Sequence, residues 1–111
     1  MAVSGHFLEA VRETLGFVPE LRAKRMFGGA GFYCGEVMFA LAIDDALYLK
    51  ADAETAPEFE ALGLSPFMWR DRTGREVAMS YRQAPGDLWE DPDVARDWTD
   101  RALAAARRKA R

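Results

Sequence analysis

The sequence predicts an α+β fold: a two-layer arrangement of an antiparallel sheet with packed helices, in the order helix, four strands, helix, two strands, helix. Three observations predict it. Apolar residues recur at spacings of three and four in the first and last segments, the period of a helix with one buried face. Between them lie short apolar runs separated by glycine and aspartate pairs that turn the chain. The 111 residues are half apolar, enough to close one core, so residues 1–111 are read as a single domain.

The elements follow in order. Phe7, Leu8, Val11 and Leu15 place a helix over Gly5–Leu15, with Ser4 as N-cap, Gly16 suited to the C-terminal cap and Pro19 blocking continuation. Arg22–Phe27 is the first strand, and Gly28 and Gly29 permit positive φ in the tight reversal that follows. Gly31–Cys34 is the second strand, and Gly35-Glu36 a glycine-first turn. In the third strand, Val37–Ile43, alternation puts Val37, Phe39, Leu41 and Ile43 on one face and Met38, Ala40 and Ala42 on the other. Both faces are apolar, so this strand is expected to be central. Asp44-Asp45 returns the chain into Ala46–Lys50.

A short helix is expected over Ala53–Leu62, ended by Gly63; Pro57 argues for a start near Ala56, since proline is tolerated only in a first turn. Phe67–Arg70 and Glu76–Arg82 form a hairpin around Asp71–Gly74, with Val77, Met79 and Tyr81 alternating against Ala78 and Ser80 as in a half-buried strand. Asp91-Pro92-Asp93 starts the last helix, whose apolar face is read as Val94, Trp98, Ala102, Ala105 and Ala106.

Composition narrows function. Cys34 is the only cysteine, which excludes an internal disulfide and a thiolate metal cluster within the chain and fits a reducing compartment. Met1–Gly16 has no targeting pattern, and the longest apolar run, Val37–Ile43, falls far short of the ~20 residues of a membrane span; the expectation is a cytoplasmic protein without membrane contact. The net charge of −3 argues against direct DNA binding. Six acids and one base lie between Asp87 and Asp100, and five bases and no acid between Arg101 and Arg111, a distribution that complements a helix macrodipole.

No set of residues with the pattern of a catalytic or cofactor site emerges. Gly28-Gly29-Ala30-Gly31 lacks the Gly-Lys-Ser/Thr ending of a phosphate loop, and the dinucleotide pattern fails at Cys34. His6 has no partner at metal-ligand spacing, Cys34 has no adjacent base, and Asp44 and Asp45 are turn residues. The chain is therefore not expected to be an enzyme, nor to hold a cofactor or metal. Phe32, Tyr33, Phe39, Tyr48, Phe67, Trp69 and Tyr81 alternate as core residues do. Two basic groups, Arg22, Lys24 and Arg25 on the first strand and Arg70, Arg72 and Arg75 around the second hairpin, form a candidate interaction surface if those strands neighbour each other, and a scattered solvated face if they do not.

The run Arg25-Met26-Phe27-Gly28-Gly29-Ala30-Gly31-Phe32-Tyr33 resembles the opening signature of the N-terminal domain of the TfoX/Sxy family of competence regulators. Met38-Phe39-Ala40-Leu41, Leu47–Asp52, Pro66-Phe67-Met68-Trp69, Met79-Ser80-Tyr81 and Ala84-Pro85 follow in the same order, so the resemblance covers roughly Phe7–Ala106. It implies a fold similar to secretion chaperones and YjbR-like proteins, and a stand-alone version of that domain. It also implies a regulatory role through a protein partner in the transcription machinery, with no catalytic residues to carry over. Met26, Phe27, Gly28, Gly29 and Gly31 are read as a structural motif, side chains to a core and glycines to a turn. The other reading of the chain is a small-molecule-binding or chaperone-like module acting as a homodimer.

Overall fold

The computed structural model describes residues 3–26 and 28–110, and its element order matches the expected one with one addition. Helix α1 (Gly5–Thr14) leads into strands β1 (Leu21–Met26), β2 (Gly29–Cys34), β3 (Val37–Ile43) and β4 (Ala46–Lys50). Helix α2 (Ala56–Ala61) precedes strands β5 (Pro66–Arg70) and β6 (Glu76–Gln83). A short 3-10 helix, Gly86–Trp89, which the sequence reading lacked, leads to helix α3 (Pro92–Ala110). The six strands form one antiparallel sheet in the order β1-β2-β3-β4-β6-β5.

Local chemistry explains the boundaries. The Ser4 hydroxyl accepts from the Phe7 N–H at the start of α1, and Asp45 holds the Ser4 N–H at 2.9 Å, tying this helix end to the β3–β4 turn. Asp44 and Asp45 both have φ 53, the left-handed pair that a two-residue hairpin turn requires. Helix α2 starts at Ala56, as Pro57 suggested, and closes in a Schellman motif: Gly63 takes φ +70, its N–H reaches Glu60 O, and the Leu64 N–H reaches Phe59 O. Asp91 caps α3 by accepting from the Asp93 and Val94 N–H groups.

All three helices pack on one face of the sheet. Leu8, Val11 and Leu15 of α1, Phe59 of α2, Leu88 of the 3-10 helix and Ala95, Ala102, Leu103 and Ala106 of α3 close over Phe32, Phe39, Ala40, Ala42, Leu47 and Leu49. Each large side chain buried here contributes about 1.5–3 kcal/mol. The opposite face carries no helix. It closes a smaller cluster made only of strand residues, in which Leu41, Ile43 and Phe67 are buried by Met38, Tyr48, Trp69 and Tyr81.

Four expectations are corrected. The strict alternation in β3 fails, because Phe32 pairs with Ala40 while Tyr33 pairs with Met38, so Phe39 is the extra residue of a bulge. The phase flips there. Phe39, Ala40 and Ala42 all face the helices, and Leu41 and Ile43 face away. Gly29 does not take positive φ; only Gly28, at φ 78, does so in this reversal, and Gly29 already belongs to β2. Half-burial of β6 fails at its outer end, where Val77 and Met79 are exposed, because only Tyr81–Gln83 pair with β4 and the rest of the strand has β5 alone beside it. In α3, Ala102, Ala105 and Ala106 are buried as expected, but the stripe also takes in Ala95, Thr99 and Leu103, and Val94 is only partly buried. Trp98 sits half-buried at the margin of the stripe, edge-on to Phe59 at 4.9 Å with Arg101 over it at 4.5 Å.

Candidate functional site

The two basic groups lie at opposite margins of the sheet, since β1 and β5 are its two outer strands. On β1 the pleat divides the first group. Arg22 pairs with Tyr33 and Lys24 with Gly31, on the helix-free face, whereas Arg25 falls on the other face opposite Ala30. Arg22 is also engaged: its guanidinium donates to Gly35 O at 3.1 Å and lies 5.4 Å from the Tyr33 ring. In the motif beside it, Gly28 supplies the positive φ. Gly29 and Gly31 supply close approach, because a methyl at Gly31 meets the Met26 and Met38 side chains at 2.9 Å. Phe27 lies outside the described residues.

The second group crowns the β5–β6 hairpin. Asp71 organises the tip, accepting from the Thr73 N–H, the Thr73 hydroxyl and the Arg75 N–H at 2.9, 2.7 and 3.0 Å; these bonds, the Thr73 hydroxyl first, hold its carboxyl below the usual range. Arg70 donates to Gly74 O at 2.9 Å and approaches Glu76 at 3.4 Å, while Arg72 and Arg75 are exposed. Met68, Met79 and Val77 on the same hairpin are 44, 41 and 38% exposed. Among the described residues only Leu62 and Trp89 are comparable, so large exposed apolar side chains concentrate on this hairpin. The outer edge of β5 has no neighbouring strand among the described residues.

A third region, which the sequence reading missed, lies where α3 runs past the end of the sheet. The Arg108 guanidinium clasps Asp52 with bonds of 2.6 and 3.0 Å and reaches Glu54 at 3.1 Å. Asp52 also accepts from the Glu54 and Thr55 N–H groups, and the Arg108 bond in particular lowers its pKa from 3.8 to about 2. The basic end of α3 is thus engaged in part rather than simply solvated. Lys50, next to this pair, is buried at 8% exposure. Its Nζ donates to Ser80 Oγ at 2.5 Å and lies 5.0 Å from the Tyr81 ring. Burial, and then the charge of Lys109, lower its pKa. Burial pushes the Tyr81 hydroxyl up to about 12. A lysine closing an otherwise apolar strand was the one available signal.

The remaining candidates stay separate. His6 is exposed, and Cys34 is half-buried with Arg107 Nη2 3.9 Å from its sulfur. No cluster of histidine, cysteine and carboxylate side chains suited to a metal occurs among the described residues. No helix among them is long and apolar enough to cross a membrane.

The family model described as TfoX N-terminal domain matches residues 13–106 of the chain. No curated protein sequence matches it.

Proposed function

The chain belongs to the TfoX N-terminal domain family, and from that premise we propose that it works as a single non-catalytic protein-interaction domain, resembling that of a competence regulator, whose β5–β6 hairpin engages a partner in the transcription machinery. The observation that carries this reading is that the hairpin exposes Met68 on one face and Val77 and Met79 on the other, next to the basic tip of Arg70, Arg72 and Arg75. Exposed apolar side chains on both faces of a hairpin whose outer strand has no neighbour among the described residues are what a strand-adding or clasping partner covers. The arginines select a segment with an apolar centre and acidic flanks. The net charge of −3 and the separation of the two basic groups both favour such a protein surface over duplex DNA. Family membership supports the regulatory setting, and the family is not known for enzymes.

The test is affinity capture from host lysate with mass spectrometry, run on the parent and on Met68→Glu and Arg72→Glu. Both residues are exposed, so the variants should keep the parent's stability to within about 0.5 kcal/mol. The parent should recover a transcription factor or polymerase subunit that both variants lose. Equal recovery by all three, or a salt-sensitive shift of duplex DNA by the parent, refutes the reading.

A further inference from the structure

Beneath the overhanging end of α3, two recesses share Lys50 and Lys109. One, of about 280 Å³, is walled by Met38, Tyr81 and Ala106, with Glu36 at its solvent side. The other, of about 340 Å³, lies toward Ser80 and the Asp52–Arg108 pair. Neither lysine makes an ion pair among the described residues. Of the carboxylates nearby, Asp52 is committed to Arg108 and two backbone N–H groups, while Glu36 is exposed to solvent and lies 3.9 Å from Arg22.

An ammonium group carries three donors, and Lys50 uses one of them on Ser80 Oγ. The Ser80 hydroxyl, accepting from Lys50, keeps its own proton to donate. Two cations therefore converge, Lys50 buried and Lys109 exposed, with donor capacity left over and with Asp52, already clasped by Arg108, as only a shared counter-charge for Lys50. Burying a charge without a partner is unfavourable, and a bound oxyanion would relieve it through charge-assisted hydrogen bonds. Burial first, and then the charge of Lys109, lower the Lys50 pKa against the opposing charge of Asp52.

We propose that this is a binding site for a small organic anion, whose phosphate or carboxylate group bridges Lys50 and Lys109 and receives the Ser80 hydroxyl, while its apolar body lies against Tyr81 and Met38. The recess walled by Met38 and Tyr81, of about 280 Å³, suits a small ligand body of about one ring. The site is independent of the hairpin reading, because none of the hairpin's exposed apolar or basic tip residues takes part in it.

The experiment is a titration of the full chain, labelled with nitrogen-15, with phenyl phosphate and separately with inorganic phosphate. Amide shifts are followed at Lys50, Ala51, Ser80, Tyr81 and Ala106. Phenyl phosphate should give saturable shifts at these residues, with a Kd raised about tenfold or more in Lys50→Met and in Lys109→Ala, as loss of a charge-assisted bond implies. Lys109 is exposed, so its variant tests the site even if Lys50→Met disturbs packing. Inorganic phosphate should shift the same amides but bind more weakly. No saturable shift with either probe, or an unchanged Kd in Lys109→Ala, overturns the site. Equal affinity for the two probes overturns the organic ligand and leaves a free-phosphate site.

Discussion

Replacing Gly29 by alanine isolates what the second glycine of the motif does. Gly29 has no positive φ, so backbone conformation gives no reason for glycine there. Close approach does. A methyl at Gly29 lands 2.3 Å from the Ala42 carbonyl oxygen and 3.0 Å from Ile43 Cβ, both on β3. Carbon and carbonyl oxygen normally approach to about 3.3 Å, so the strands must part by about 1 Å. The Ala30–Ala42 pairing at this end of the ladder is then loosened. A lost net hydrogen bond costs about 1 kcal/mol and overpacking about 1–3 kcal/mol, which together suggest about 3 kcal/mol. For a chain of this length that corresponds to a fall in Tm of about 15 °C. Thermal melts and urea midpoints followed by circular dichroism measure it, with Gly5→Ala, which meets nothing within 4 Å, as the control. A Gly29→Ala midpoint within about 2 °C of the parent would show that the strands yield freely and would refute the close-approach argument.

Two further outcomes follow from polar groups of the helix layer, one paired and one not. The Asp52 carboxyl is held at about 2 against an ordinary 3.8, so its contribution is complete above pH 3.8 and is lost as the pH falls through about 2. At 1.36 kcal/mol per pKa unit, and with screening of a side chain that is a quarter exposed, that contribution is about 1 kcal/mol. Asp52→Asn should therefore lose about 1 kcal/mol at pH 7 and converge on the parent near pH 2 in urea midpoints; curves parallel across that range would show that the Arg108 pair contributes nothing. The Thr99 hydroxyl is fully buried in α3 without a hydrogen-bond partner among the described residues. Thr99→Val keeps the shape, removes that unsatisfied group and should raise stability by about 1 kcal/mol in the same assay; a destabilised variant would mean that the hydroxyl has a bound partner.

The turns and caps were legible in the sequence because each depends on a few adjacent residues. Ser4, Asp44-Asp45, Gly35, Gly63 and Asp91 all act as their local chemistry dictates. The bulge at Phe39 was not legible, since an apolar strand with two apolar faces has no polar residue to mark its phase. The same ambiguity hid the Ala95–Thr99–Leu103 face of α3, where small residues are chosen for close packing on the sheet rather than for hydrophobicity. The 3-10 helix was missed because its reason is tertiary: Leu88 fills the core and Trp89 meets the Phe7 ring at 5.5 Å.

By itself, then, the sequence determined the fold class, the order of elements and the family, because patterning and turn chemistry are carried by neighbouring residues. The tertiary structure alone decided which side chains share a surface. Sheet order placed the basic residues of β1 and those of the hairpin at opposite margins. The same order, with α3 overhanging the end of the sheet, brought Lys50, Ser80, Tyr81 and Lys109 together from separate elements. Residues far apart in the chain meet only once the strands are paired, so no local pattern could have announced that site.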